Sequence, residues 1–130
     1  MSVRLLLALL LALPACRNDE SVRAYGAADK EWRLVELAGN PFDATATLTF
    51  PEPGRIAGAA PCNTFSASMT VPYPWFEVGS IAATKRACPD LPSETAFFVA
   101  LEQATLSEVL GNTLILSNTD GLSMVFTAGG

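Results

Sequence analysis

Residues 45–50 read Thr-Ala-Thr-Leu-Thr-Phe, and this strict alternation leaves little choice of local structure. A period of two puts Ala46, Leu48 and Phe50 on one face and the three threonines on the other. A helix would scatter both sets around its axis. A strand with one apolar and one β-branched polar face belongs to an antiparallel sheet that is wet on one side. The flanking sequence agrees. Residues 51–54 carry two prolines and a glycine and predict a turn. Residues 55–60 then return as the partner strand, with Ile56 inward and Gly58 at a close approach or bulge. Upstream, Trp32, Leu34 and Glu36 alternate with Arg33, Val35 and Leu37, a first strand closed by Gly39-Asn40-Pro41.

The second half repeats the pattern with one interruption. Residues 65–71 predict a strand, Pro72 and Pro74 exclude central pairing, and residues 75–81 turn back toward the core. Asp90, Pro92 and Ser93 supply helix-start chemistry ahead of Glu94, and Phe97, Phe98, Leu101 and Ala104 recur at helical spacing. One helix is therefore predicted over residues 93–103. Residues 106–110 fit neither period. The apolar runs 113–117 and 122–127 flank Asn118-Thr119-Asp120-Gly121, a hairpin in which Gly121 takes positive φ. The fold class that follows is α+β, predominantly antiparallel β: a small curved sheet with one packed helix.

The N-terminus is of another kind. A short positive start is followed by nine apolar residues, 5–13. A bilayer-spanning helix needs about 20, whereas nine suit the apolar region of a secretory signal. Leu13-Pro14-Ala15-Cys16 resembles the bacterial lipobox, although Pro14 is an unusual occupant of its position. That resemblance implies cleavage after Ala15 and acyl chains on Cys16, with the membrane as the partner. Arg17, in place of the Asp that favours inner-membrane retention, implies an outer-membrane lipoprotein facing the periplasm. Residues 17–30 are polar, charged and small, and read as a flexible tether of roughly 20 Å root-mean-square span. The expected organisation is a signal over 1–15, a lipidated tether over 16–30 and one domain over 31–128.

Charge and composition narrow the function. The net charge is −5, and no basic run exceeds Lys85-Arg86, which argues against nucleic acid. The chain contains no histidine, which removes the commonest general base and His-based zinc and triad chemistry. Asp43, Glu52, Glu77, Asp90 and Glu94 form no pair suited to acid–base work. The reading is a non-enzyme without cofactor or metal. Cys62 and Cys88 lack the C-x-x-C spacing of a redox pair, and a structural role is favoured.

Residues 58–65, Gly-Ala-Ala-Pro-Cys-Asn-Thr-Phe, are followed by Thr84-Lys85-Arg86-Ala87-Cys88, then by Glu94 with Phe97 and Leu101, and by the closing hairpin. With Trp32-Arg33-Leu34 at the start, this ordered set resembles the META domain family, which includes HslJ-like heat-inducible lipoproteins. Pro61, Ala67, Met69 and Arg86 depart from the residues common there. The resemblance implies a β-rich domain with one helix and a disulfide between Cys62 and Cys88. It implies association with envelope stress, and no catalytic residues. Within the matched motifs, Asn63, Phe65 and Thr84 are the candidate contact residues. For Asn63 and Thr84 two readings stand: ligand contact, or a polar side chain that ties down backbone groups, the second favoured. Lys85-Arg86 is either a contact for an acidic partner or, as favoured, a solvated pair. Tyr73, Trp75 and Phe76 form either an exposed contact patch or, as favoured, part of the packing. The function expected is a non-catalytic lipid-anchored envelope protein linked to envelope stress tolerance or integrity, acting through contacts with other envelope components, its partner an envelope protein or an apolar ligand. The alternative is a pilotin-like module for a small apolar ligand or lipid.

Overall fold

A computed structural model describes residues 19–129. Cys16 and residues 1–15, the stretch expected to be a signal, lie outside the described residues. Nine strands and one helix follow in order: β1 (Trp32–Leu37), β2 (Asn40–Pro41), β3 (Thr47–Glu52), β4 (Arg55–Ala59), β5 (Thr64–Ser68), β6 (Ala82–Ala83), α1 (Leu91–Gln103), β7 (Leu106–Leu110), β8 (Thr113–Ser117) and β9 (Ser123–Ala128). The class is the one read from the sequence, antiparallel β with a single helix.

The strand β1 is the spine. It pairs antiparallel with β3 on one side, Trp32 opposite Leu48, and with β9 on the other, Leu34 opposite Phe126. From it β3, β4, β5 and β6 run outward in one direction and β9, β8 and β7 in the other. The register slips between Leu34 and Glu36, an irregularity of the kind that sharpens local twist. The resulting curvature brings the β7 edge to the loop leaving β5. There Trp75 bridges Leu106, the Phe76 N–H donates to Thr105 O at 2.9 Å, and the Ser107 N–H donates to Pro74 O at 2.7 Å. An edge strand is thereby covered rather than left as a pairing template. Residues 106–110, ambiguous by period, form β7 because this pairing and that with β8 supply what the pattern lacked.

Alternation delivers the core. Trp32, Leu34, Leu48, Ile56, Leu114, Leu116, Met124 and Phe126 are all fully buried. A Cβ on Gly58 would stand 2.0 Å from Thr47 O, so β4 can lie this close to β3 only with glycine there. At the hairpin, Gly121 has φ 96°, and Asn118 Oδ1 accepts the Asp120 and Leu122 N–H groups at 2.9 and 3.0 Å. The helix α1 begins two residues earlier than its spacing predicts. Pro92 sits in its first turn, where an N–H has no intrahelical partner, and Asp90 makes no side-chain cap. Its inner face is Glu94, Phe97, Ala100 and Leu101.

The tether expected over 16–30 is corrected by the structure from residue 19 onward. Residues Val22–Tyr25 form a 3-10 turn, and Ser21, Val22 and Ala27 are buried. Ala27 O accepts the indole N–H of fully buried Trp32 at 3.0 Å. A single 3-10 turn with two small apolar anchors has no apolar period to detect, which is why it reads as polar linker.

Candidate functional site

The motif residues converge where β5 begins and α1 starts. Cys62 and Cys88 are disulfide-bonded, with Cα atoms 5.6 Å apart. This joins the entry of β5 to the segment that leads into α1. Beside the bond, Asn63 is buried and uses its amide completely. Its Oδ1 accepts the Thr84 hydroxyl at 2.9 Å and the Arg86 N–H at 2.6 Å. Its Nδ2 donates to Arg86 O at 3.0 Å and to Glu94 Oε2 at 2.7 Å. The other Glu94 oxygen accepts the Cys62 N–H at 3.0 Å, and Thr84 Oγ1 accepts the Thr64 N–H at 3.2 Å. A primary amide can make four hydrogen bonds, and this one makes all four within the protein. Asn63 and Thr84 therefore serve the second of their two readings and hold backbone in place. Phe65 is core rather than contact surface: it is buried, edge-on to Phe97 at 5.5 Å and to Phe98 at 5.3 Å. Lys85 and Arg86 are exposed.

A second feature lies at the far end of the β5 loop. The favoured reading of Tyr73, Trp75 and Phe76 as packing residues holds for Phe76, which is buried, and fails for Trp75, which is 57% exposed. The bridge to the β7 edge runs through the Pro74 carbonyl and the Phe76 N–H on either side of Trp75, whose own N–H donates to Pro72 O at 2.8 Å, and the indole lies outside. An open groove of about 450 Å³ runs past it, lined by Val71, Pro72, Trp75, Phe76, Glu77, Glu102, Ala104 and Thr105. The Tyr73 ring stacks on Tyr25 of the 3-10 turn with centroids 4.7 Å apart, and Tyr25 is itself 57% exposed. The chain enters the described region directly beside this face, because the Tyr73 N–H donates to Glu20 O at 2.7 Å.

That entry point is clasped. Asp19 accepts the Ser21 N–H at 3.0 Å and the Ser21 hydroxyl, and pairs with Arg23 at 3.5 Å. Arg23 Nε also donates to Phe50 O at 3.0 Å. Burial pushes the Asp19 carboxyl up, but the hydrogen bonds from Ser21 and the Arg23 guanidinium outweigh it and hold it below its ordinary value. A depressed carboxyl contributes stability that is present above its unfolded-state pKa and is lost as pH falls through the lower folded value. The clasp is therefore intact at neutral pH. It opens only in acid below the ordinary Asp range of about 3.9. The protection of the Ser21 and Ala24 amides, taken relative to their intrinsic exchange and compared with Asp19→Asn, should fall in that window and stay constant between pH 5 and 8.

The META domain family model matches residues 26–129. The chain belongs to the META domain family. Its fold also resembles that of a protein from Burkholderia xenovorans solved by NMR, with 20% identity, a TM-score of 0.66, and 79% of this chain and 83% of that one covered. A crystal structure of a DUF4847 family protein from Bacteroides vulgatus is similar as well, with 15% identity, a TM-score of 0.68, and 82% and 96% covered. No curated protein matches.

In this META domain, sequence reasoning singled out Asn63 and Thr84 but missed what completes them. Glu94 was read as part of the helix start and of the family motif, with no partner assigned, yet it is buried and accepts from both Cys62 and Asn63. Its signal was available: Glu94 lies three residues before Phe97 and seven before Leu101, on the same helix face as the core. Tyr25 carried no comparable signal. Among the described residues, no group of three or more His, Cys, Asp or Glu side chains is arranged to hold a metal ion.

Proposed function

We propose that this META domain protein is a non-catalytic lipoprotein, anchored through Cys16 to the outer membrane, that supports the cell envelope under stress by contacting other envelope components. The observation that carries the reading is the division of labour between the two features above. The polar groups of the motif bond to one another and leave neither base nor nucleophile poised for a substrate. The exposed large apolar side chains include two aromatics, Tyr25 and Trp75, and aromatic side chains are typical anchors of contact surfaces. The groove beside Trp75 supports the second reading, a pilotin-like module for a small apolar ligand, since about 450 Å³ is within the range of ligand sites. Its open shape and acidic rim favour the first.

The test compares the wild type with Cys16→Ser in cells labelled with palmitate. The wild type should carry label and fractionate with membranes, and the variant should do neither. Label retained on the variant would sink the anchor. The soluble fragment released from the membrane should show no turnover against ester, peptide and glycoside panels. A saturable activity abolished by one substitution would sink the non-catalytic reading.

A further inference from the structure

We infer that the aromatic face around Trp75 is a membrane-interface surface, so that the anchored domain lies against the lipid headgroups instead of hanging clear of them. The inference rests on the reading of Cys16 as the lipid anchor. It starts from chain length. The described residues begin at Asp19, which is held by Ser21 and Arg23. Cys16 precedes it by three residue steps, which span at most about 11 Å even fully extended. The acyl chains must therefore enter the bilayer within that distance of Asp19, and whatever surface surrounds Asp19 meets the headgroups.

That surface is the aromatic face. Glu20 O is bonded to the Tyr73 N–H, the Tyr73 ring lies on Tyr25, and Trp75 follows two residues later with its N–H on Pro72 O at 2.8 Å. Tyr25 and Trp75 are both more than half exposed, and Pro72 and Pro74 beside them are exposed as well. Tyrosine and tryptophan combine an apolar ring with a polar tip, the chemistry enriched at the level of lipid headgroups. The charges beside them select the lipid. Glu20, Glu77 and Glu102 border the face, and the neighbouring Arg23 is engaged by Asp19. An acidic rim repels anionic headgroups and suits the ammonium of a zwitterionic phosphatidylethanolamine surface. A protein partner of the same face would need no such proximity to residue 16.

The two tryptophans make the test direct, because Trp32 is fully buried and Trp75 is not. The processed, lipidated protein is placed in phosphatidylethanolamine vesicles containing a minor fraction of phosphatidylglycerol, with acyl chains brominated near the headgroups. Trp75→Phe reports Trp32 alone, and the difference reports Trp75. The Trp75 emission should shift to the blue, fall by roughly half with brominated lipid, and lose about twofold in access to aqueous acrylamide, as for a ring at the headgroup level. Inserting a Gly/Ser segment of about 20 residues before Asp19 should weaken the lipid quenching, because the local concentration of the face at the bilayer drops. If the protein floats with the vesicles and Trp75 is quenched equally in brominated and plain lipid, the membrane face is wrong while the anchor stands. If the protein neither carries acyl chains nor floats, the anchor is wrong and this inference goes with it. A specific protein crosslink at position 75 without lipid quenching overturns it in favour of a protein contact.

Discussion

Replacing both Cys62 and Cys88 by Ala lowers the unfolding free energy of the domain by about 3.5 kcal/mol, the largest single effect we expect from chemistry rather than packing. The bond spans a sequence separation of 26, and the chain-entropy cost of closing such a loop gives that figure. Total stability for a domain of this size is about 5–15 kcal/mol, so the loss is a large share. It corresponds to a fall in Tm of roughly 10–20 °C. The native geometry supports a full effect. The bond lies next to the Asn63 network, so that bond and hydrogen bonds fix the same junction between β5 and α1. Thermal unfolding of the double variant beside the oxidised wild type measures the shift, and non-reducing peptide mapping establishes that the wild type is oxidised. A variant that melts within 2–3 °C of the oxidised protein would show that the network holds the junction without the bond.

The same junction shows how far the sequence could be read. Strands with one wet face were legible because alternation survives in the amino acids: Trp32 and Leu34, Leu48 and Phe50, and Leu114 and Leu116 all point inward as their period requires. The helix was legible from Phe97 and Leu101. The segment 21–29 was not, because its attachment rests on one 3-10 turn, on Val22 and Ala27, and on a hydrogen bond donated by Trp32. None of these has a periodic trace. Short β6 and the backbone bridges at Met69 and Trp75 were hidden for a related reason. Pairing through two or fewer residues leaves side-chain type almost unconstrained. The exposure of Trp75 accompanies that hidden pairing: its neighbours Pro74 and Phe76 carry the strand-like hydrogen bonds to Ser107 and Thr105, and the indole faces outward. Sequence patterns report which face of an element is buried. They do not report which loop closes an edge, and both the N-terminal docking and the aromatic face depend on such a loop.

Cutting the Asn63–Glu94 contact costs about 3 kcal/mol from either side, and the two cuts do not add. Glu94 is 4% exposed, and its two oxygens accept from the Cys62 N–H and from Asn63 Nδ2. Asn63→Ala strips one of these donors from a buried carboxylate. It also frees Thr84 and the Arg86 backbone, which lie close enough to the surface for water to replace the lost partner. Most of the penalty therefore falls on Glu94. Glu94→Ala leaves the backbone N–H of Cys62 and one of the two amide N–H groups of Asn63 without acceptors, the other still donating to Arg86 O, at about 1–3 kcal/mol each. In the double variant the buried carboxylate and the amide that faced it are both gone, so its cost should be lower than the sum of the singles by about 1–2 kcal/mol. Glu94→Gln separates a clamp from a spare acidic group. Glutamine presents one acceptor where two donors converge and turns its own N–H toward a donor, so the shape is kept while at least one bond is lost. A drop of about 2 kcal/mol is expected. Denaturant unfolding of the four proteins, with the m-value checked for constancy, gives the cycle. Singles within about 0.5 kcal/mol of the wild type would mean that water satisfies these groups and that the junction is held by the disulfide and the Phe65–Phe97 contact alone.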